Sequence, residues 1–460
     1  MNNYEKYKRL IRSVMGIMLI ILETGLYAFI WVNYYNEKME WPYVRLGHYF
    51  IATVYALALF VFSNMYGALK LGYMKIYEAI YAQTLATICT NGVMYIPIVL
   101  LTKHLQSVTP LLWMTAASFI IIIIWANLSI RLFQFLYPPR KVLLIYGERP
   151  VSVFMDKMND RTDRFFIGEA MHISMGIEKI QKTIKAYEGV VICDIPSQTR
   201  NQILKFCYGE SIRVYATPKI SDILIRSAEN IHFFDTPLVL LRNNGLTYEQ
   251  QLIKRIMDLL ASIIGLLIFS PFMLITAIAI KLYDGGPIFF FQDRCTKDGK
   301  IFSMCKFRSM VVDAEKVGES IPATDKDPRI TPVGSFIRKY RIDEMPQLFN
   351  IIKGDMSLIG PRPERIEHVK LYSEEIPEFE YRLKVKGGLT GFAQVYGKYN
   401  TTPYDKLKLD LMYIQNYSFL MDIEILFKTI KILFIKESTE GFSQEAATKI
   451  QNIIKKDDKN

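Results

Sequence analysis

Two adjacent carboxylates, Asp343 and Glu344, stand in the stretch RIDEMPQLFN (341 to 350), just ahead of Pro346 and an apolar run. Neighbouring acids repel, so the pair calls for positive charge nearby; capping a helix needs only one such residue. With Asp343 at the cap or in the first turn, Pro346 falls where a backbone N–H has no intrahelical partner. Leu348, Ile351 and Ile352 then mark a buried face, and Gly354 ends the helix. The positive end of such a helix keeps Asp343 ionised and attracts phosphate. An ionised aspartate at an anion site can attack phosphorus and form an acyl phosphate. Glu344 suits Mg²⁺, which binds through one or two carboxylates and completes its shell with water and substrate phosphate. On this motif alone, a plain cap followed by a first-turn acid explains the pair as well.

Residues 282 to 400 concentrate glycine-proline turns and cations around that pair. Lys306 and Arg308 lie in CKFRSM, Arg338 in IRKYRIDEMPQLFN, and Arg362 in LIGPRPE. Arg and Lys on rigid turns, beside exposed glycine N–H groups, make a phosphate-binding surface. Each piece alone reads as an ordinary turn; their clustering carries the weight.

The elements that position these residues follow from composition and hydropathy. The chain has 460 residues, 51% hydrophobic, with Lys+Arg 56 against Asp+Glu 45, which suits a basic membrane protein of two or three domains. Five widely spaced cysteines without a C-x-x-C indicate neither a disulfide framework nor a zinc site. Residues 1–137 carry four apolar runs (13 to 35, 46 to 69, 77 to 101, 110 to 133), each near the roughly 20 residues that a bilayer demands. Basic flanks place both ends of this four-helix transmembrane bundle on the cytoplasmic side. Glu23, inside the first run, reads as a bundle-facing acid, neutral or hydrogen-bonded to another helix, in preference to part of a proton or ion path.

After Pro138-Pro139, short apolar strands (141 to 147, 189 to 195, 212 to 218, 237 to 241) alternate with helical segments, predicting a small Rossmann-like α/β domain over 138–245. One glycine follows its first strand where G-x-G-x-x-G would mark a dinucleotide site, so a regulatory or packing role is preferred. The apolar run 256–281 is long enough to span, but Ser270-Pro271 near its middle and basic residues at both ends favour a helix that breaks there and returns to the same face. Residues 441–460 read as a polar tail.

The stretch 247 to 436 resembles the catalytic domain of the bacterial polyprenyl-phosphate glycosyl-1-phosphate transferases, the monotopic phosphoglycosyl transferases. The motifs that carry it are KRIMD, the Ser-Pro within the apolar run, KFRSM, DEMPQLFNIIKGDMSLIGPRP and GLTGFAQV. The four spans and the α/β domain resemble the large members that initiate exopolysaccharide or capsule synthesis. The resemblance implies a mainly α monotopic catalytic domain over 246–440 with a re-entrant helix at 256–281. It implies Asp343 as nucleophile, Glu344 as ligand of Mg²⁺, and Lys306, Arg308, Arg338 and Arg362 at the substrate phosphates. It further implies transfer of a sugar phosphate from a UDP-sugar to undecaprenyl phosphate with release of UMP, at the cytoplasmic face of the bacterial inner membrane. A homodimer is compatible with four spans bearing apolar faces, and nothing points to nucleic acid as a partner. Two positions depart from the family pattern: Lys386-Gly387-Gly388 where K-P-G is frequent, and Asp284-Gly285-Gly286-Pro287 where S-P-G-P is common. A non-catalytic scaffold and an NAD-dependent oxidoreductase are the competing classes, the second opposed by the missing glycine fingerprint.

Overall fold

The computed structural model describes residues 5–147, 151–233, 235–241, 245–312, 314, 327–397 and 401–433. The chain divides into two compact units, Met1–Lys219 and Ile220–Asn460. The first opens with four helices: α1 (Lys8–Ile30), α2 (Leu46–Met65), α3 (Ile76–Thr102) and α4 (Thr109–Leu136). Each packs on the next, and α4 returns to α1. Leu19, Tyr55, Met94 and Ile122 are buried among them, yet Ile21, Phe60, Ile96 and Ile124 face outward. Helices apolar on all sides suit a nonpolar surrounding, and these four are long and apolar enough to cross a membrane. Polar side chains join them inside: Tyr55 donates to Asn91 (3.2 Å), Asn91 to Thr115 (2.8 Å), and Ser118 of α4 to the fully buried Glu23 (2.5 Å).

The first unit continues through β1 (Arg140–Tyr146), α5 (Ser152–Asn159), β2 (Phe165–His172), α6 (Ile177–Ile184), β3 (Gly189–Cys193), α7 (Ser197–Gly209) and β4 (Arg213–Ala216). The four strands form one parallel sheet in the order β2-β1-β3-β4. Strand periodicity sends Leu143, Ile145, Val190 and Ile192 against Ile180, Ile184, Ile203 and Cys207 of α6 and α7. Val142, Leu144 and Val191 go to the other face, against Phe154, Met155 and Met158 of α5. Burial on both faces is why these strands read as unbroken apolar runs. The sequence reading missed β2, and it took 237 to 241 for another strand of this sheet. That run is β6 (Thr236–Leu240), paired antiparallel with β5 (Glu229–Phe233) in the second unit. So short a connection joins antiparallel neighbours only, because a parallel partner needs a crossover of about a dozen residues.

The second unit starts at α8 (Ile220–Arg226) and, after the β5–β6 hairpin, runs through α9 (Tyr248–Asp284), β7 (Phe289–Cys295), β8 (Ile301–Phe307), α10 (Pro332–Lys339), α11 (Gln347–Lys353), β9 (Ser357–Ile359), α12 (Ile366–Glu375), β10 (Gly388–Thr390), α13 (Phe392–Tyr396), α14 (Pro403–Gln415) and α15 (Phe419–Leu433). Its described strands form three two-stranded sheets, so the unit is mixed α and β rather than mainly α. Leu348, Ile351, Leu358, Phe379, Leu407 and Leu411 form its core.

Helix α9 organises this unit. It starts eight residues earlier than the apolar run, at a capping box in which Thr247 and Gln250 bond each other's backbone. The KRIMD motif occupies its second and third turns, and three of its residues hold other elements. Lys254 donates to Asp422 of α15 at 2.7 Å and to Tyr413 at 3.1 Å, in a site where the acid is wholly buried. Arg255 donates to the carbonyls of Ile351 and Ile352 at the end of α11, at 2.6 and 2.7 Å. Asp258 accepts from Ser357 Oγ (3.0 Å) and from the Leu358 N–H (2.9 Å). Farther along, Met273 and Ile280 pack with Phe307 and Ile337, and Asp284 binds Arg308. Both ends are therefore bonded into one unit.

The helix is continuous across Ser270-Pro271, so the break expected there is confined to one lost backbone donor. Pro271 leaves the Leu267 carbonyl without its helical partner, and Ser270 Oγ donates to that same carbonyl at 3.0 Å. Apolar side chains such as Ile264, Leu267, Phe272 and Ile275 are exposed along the middle of α9.

Removing one partner of a buried ion pair leaves an unpaired charge, at a cost of about 3–5 kcal/mol. Lys254→Ala should therefore lower the melting temperature of the detergent-solubilised protein markedly. The double variant Lys254→Met/Asp422→Leu should recover much of the loss, as thermal unfolding of the three proteins would reveal.

Candidate active site

The dyad sits between two short helices. α10 is started by Thr331, whose hydroxyl accepts from the Gly334 N–H at 2.9 Å; after it the chain turns at Arg341, which adopts a left-handed conformation (φ 54°). Ile342–Glu344 then form one 3-10 turn, and α11 begins only at Gln347. The acids thus precede the helix by a turn instead of occupying its first turn. Pro346 is the reason: lacking an N–H, it cannot extend an α ladder back to the Ile342 carbonyl, which accepts from Met345 instead (3.1 Å). At the far end, Gly354 closes α11 in the left-handed conformation (φ 98°). Arg255 and Lys386 donate to the carbonyls of Ile351, Ile352 and Gly354 there, countering the helix's negative end.

Asn350 locks this helix to the β7–β8 hairpin. Its Oδ1 accepts from the Cys305 N–H (2.9 Å), and its Nδ2 donates to Ser303 O (2.9 Å) and Asp355 (3.1 Å). Lys306, next along β8, thereby reaches Glu344 Oε1 at 3.0 Å. Arg362 reaches the same oxygen at 2.6 Å from the loop between β9 and α12. That loop has its own support. Arg382, almost wholly buried, bridges Asp410 at 2.8 Å and donates to the Arg362 carbonyl at 2.9 Å, while Lys406 pairs with Glu364. The chain departs from K-P-G at Gly387, where a Cβ would meet Pro363 Cγ at 2.5 Å; one on the adjacent Gly388 would meet the Gly360 nitrogen at 2.1 Å.

The two acids differ in charge state. Burial would raise the Glu344 carboxyl, but Arg362 and Lys306 overcome it and hold Glu344 well below the usual carboxylate range. Burial, then the charge of Glu344, pushes Asp343 up to about 6 against the pull of Lys306, Arg338 and Arg362. Within the pair the first proton therefore belongs to Asp343, which is still mostly ionised at neutral pH and is more basic than an ordinary aspartate. Burial also lowers Lys306, with Glu344 opposing it. Among the described residues, the Asp343 carboxylate has no hydrogen-bond partner. A charged oxygen so placed is available for attack.

The structure thus brings Asp343, Glu344, Lys306, Arg338 and Arg362 to one place. Arg308 is engaged elsewhere: its Nε donates to Pro287 O (2.7 Å), and both its terminal nitrogens bind Asp284. Ser270 and Pro271 lie within α9. The sequence reading assigned no role to Arg294, Glu364, Arg382, Lys406 or Asp410. Of these, Arg294 was open to discovery, because strand alternation along β7 puts it on the face that Lys306 shares.

A magnesium ion would find two carboxylates here. Glu344 Oε2 and the Asp343 carboxylate have no hydrogen-bond partner among the described residues. The donor set fits a hard cation that draws its other ligands from phosphate and water.

The sequence profile of the bacterial sugar transferases matches residues 249–436. The chain is 42% identical over 235 residues to the UDP-N-acetylgalactosamine-undecaprenyl-phosphate N-acetylgalactosaminephosphotransferase of Aeromonas hydrophila, covering 50% of this chain and 55% of that protein. It is 36% identical over 241 residues to the undecaprenyl-phosphate galactose phosphotransferase of Salmonella typhimurium, covering 49% and 50%. An uncharacterized sugar transferase of Bacillus subtilis, EpsL, is 38% identical over 189 residues, covering 41% of this chain and 91% of that protein. The chain spans about half the length of the first two relatives.

Glu364 makes a pH-dependent contribution to this loop. Burial would raise its carboxyl from the ordinary 4.5, but Lys406 and Arg382 hold it far lower. A depressed carboxyl stabilises fully above its unfolded value, and that stabilisation is lost as the pH falls below it. The melting temperature of the native protein should fall between about pH 5 and about pH 3, and the fall should be shallower in Glu364→Gln. Circular dichroism melts across that range would check this.

Proposed function

The chain belongs to the bacterial sugar transferase family, and from that premise we propose that it moves a sugar phosphate from a UDP-sugar to undecaprenyl phosphate, releasing UMP and initiating an exopolysaccharide or capsule repeat unit. The observation that carries this reading is the unpartnered, basic Asp343 carboxylate beside a Glu344 already held by Lys306 and Arg362.

Chemistry proceeds in two displacements. Asp343 attacks the sugar-bearing phosphorus of the donor, and the bond from that phosphorus to the bridging oxygen breaks with the electron pair leaving on UMP. The lipid phosphate then attacks the phospho-aspartate and frees the carboxylate. Both encounters set anion against anion. Lys306, Arg338 and Arg362 offset that repulsion, and fixed charges of this kind supply the largest share of many rate enhancements. Glu344, through Oε2, is the residue that would hold Mg²⁺. The ion, when bound, neutralises phosphate charge.

The polar half of this donor needs water and the acceptor needs a bilayer, so the site belongs at a membrane surface. The four apolar helices serve as spans of the bacterial inner membrane, with basic flanks on the cytoplasmic side. In this reading a bend at Pro271, inside the otherwise continuous helix, lets α9 enter the bilayer and return to that side. Its two ends, bonded through Lys254 and Asp284 into one unit, support this path over a crossing.

A screen of UDP-sugars with undecaprenyl phosphate in detergent, reading UMP release, tests the assignment. Asp343→Ala should lose more than about a thousandfold in rate, and Glu344→Gln about a hundredfold to a thousandfold with a raised Mg²⁺ requirement. Full activity in Asp343→Ala would rule out the covalent route.

A further inference from the structure

Arg294 shares one face of the β7–β8 hairpin with Lys306. The register pairs Phe290 with Lys306, Gln292 with Met304 and Arg294 with Phe302, so these three pairs project from the same side. Lys306 stands at one end of this row, on Glu344, and Arg294 lies four strand residues along, roughly 13 Å of backbone away. The charges that act most strongly on Arg294 are those of Glu364, Arg362, Arg365 and Glu344. Even so, it makes no ion pair among the described residues. Its Nη1 donates to Pro363 O at 3.3 Å and its Nη2 to Gln292 Oε1 at 2.5 Å, while its Nε–H is buried without an acceptor. By contrast, Arg308, Arg362 and Arg382 each hold a carboxylate. A desolvated cation without a counter-anion is costly, and the planar guanidinium fork matches phosphate.

We propose that Arg294 is a second phosphate anchor of the donor site, gripping the phosphate of the departing nucleotide while Lys306, Arg338 and Arg362 hold the phosphate under attack. This rests on the donor reading given above. The division follows from position. The largest charges acting on Asp343 are Glu344, Lys306, Arg338 and Arg362, whereas the largest acting on Arg294 is Glu364. As the Asp343 oxygen bonds to phosphorus, the bridging oxygen takes the electron pair and leaves as part of UMP. Arg294 donates hydrogen bonds to that growing charge and transfers no proton.

The test uses the full chain in detergent, with UMP and uridine as probes in calorimetry. Arg294→Gln should weaken UMP binding about 10- to 100-fold, the worth of a charge-assisted hydrogen bond. Uridine, which lacks the phosphate, should bind both proteins alike. Transfer from preformed phospho-enzyme to undecaprenyl phosphate should keep its rate. Arg294→Lys, which keeps the charge and loses the fork, should fall between and serves if the glutamine variant does not fold. Unchanged UMP affinity overturns the proposal, as does equal weakening of UMP and uridine, which marks a merely structural role. Slowed transfer to lipid with normal UMP affinity overturns it too, by placing Arg294 at the acceptor phosphate. If the native protein neither binds UMP nor releases it from any UDP-sugar, the donor reading itself fails.

Discussion

The second unit is arranged around one unfavourable object, a pair of adjacent carboxylates taken partly out of water. Two such charges side by side are tolerated only if cations reach them, and a single oxygen of Glu344 receives both Lys306 and Arg362. Those two cations come from elements far apart in the chain, a hairpin strand and a loop. Meeting at one atom therefore requires both to be held to within fractions of an ångström. Asn350 fixes the first by stitching α11 to β8, and Arg382 fixes the second through the Arg362 carbonyl.

The same demand explains why α9 is so richly bonded at its start. Lys254, Arg255 and Asp258 project from neighbouring turns and hold α15, the end of α11 and β9 respectively. None of the three touches the dyad. They fasten the elements around the helix whose approach carries it, and Arg255, with Lys386, satisfies the negative end of that helix.

Much of this was legible in the sequence where a local signal existed. The four apolar helices, three strands of the parallel sheet, Gly354 as a helix end and the cations Lys306 and Arg362 all announce themselves through run length, period or motif. Strand β2 did not, because FFIGEAMH mixes glycine and glutamate into an edge strand whose residues are mostly half exposed. The start of α9 was hidden behind a polar first turn, although Thr247 and Gln250 spell a capping box. Arg308 illustrates a different limit. Its type and its neighbours suggested phosphate, but its partner Asp284 lies 24 residues away, and only the fold brings them together. The buried set of Glu364, Arg382, Lys406 and Asp410 is invisible for the same reason.

The serine before Pro271 carries a consequence for how the protein meets lipid. Its hydroxyl takes over the carbonyl that proline strands, so the helix is spared an exposed polar group at its most apolar stretch. Because both ends of α9 are fastened to one unit, the depth of that stretch in a bilayer and the height of Asp343 above it become a single mechanical variable. On the proposed function, a thicker or thinner bilayer would tilt or lift Asp343 relative to the acceptor phosphate. The helix would then be a gauge of membrane thickness as well as an anchor.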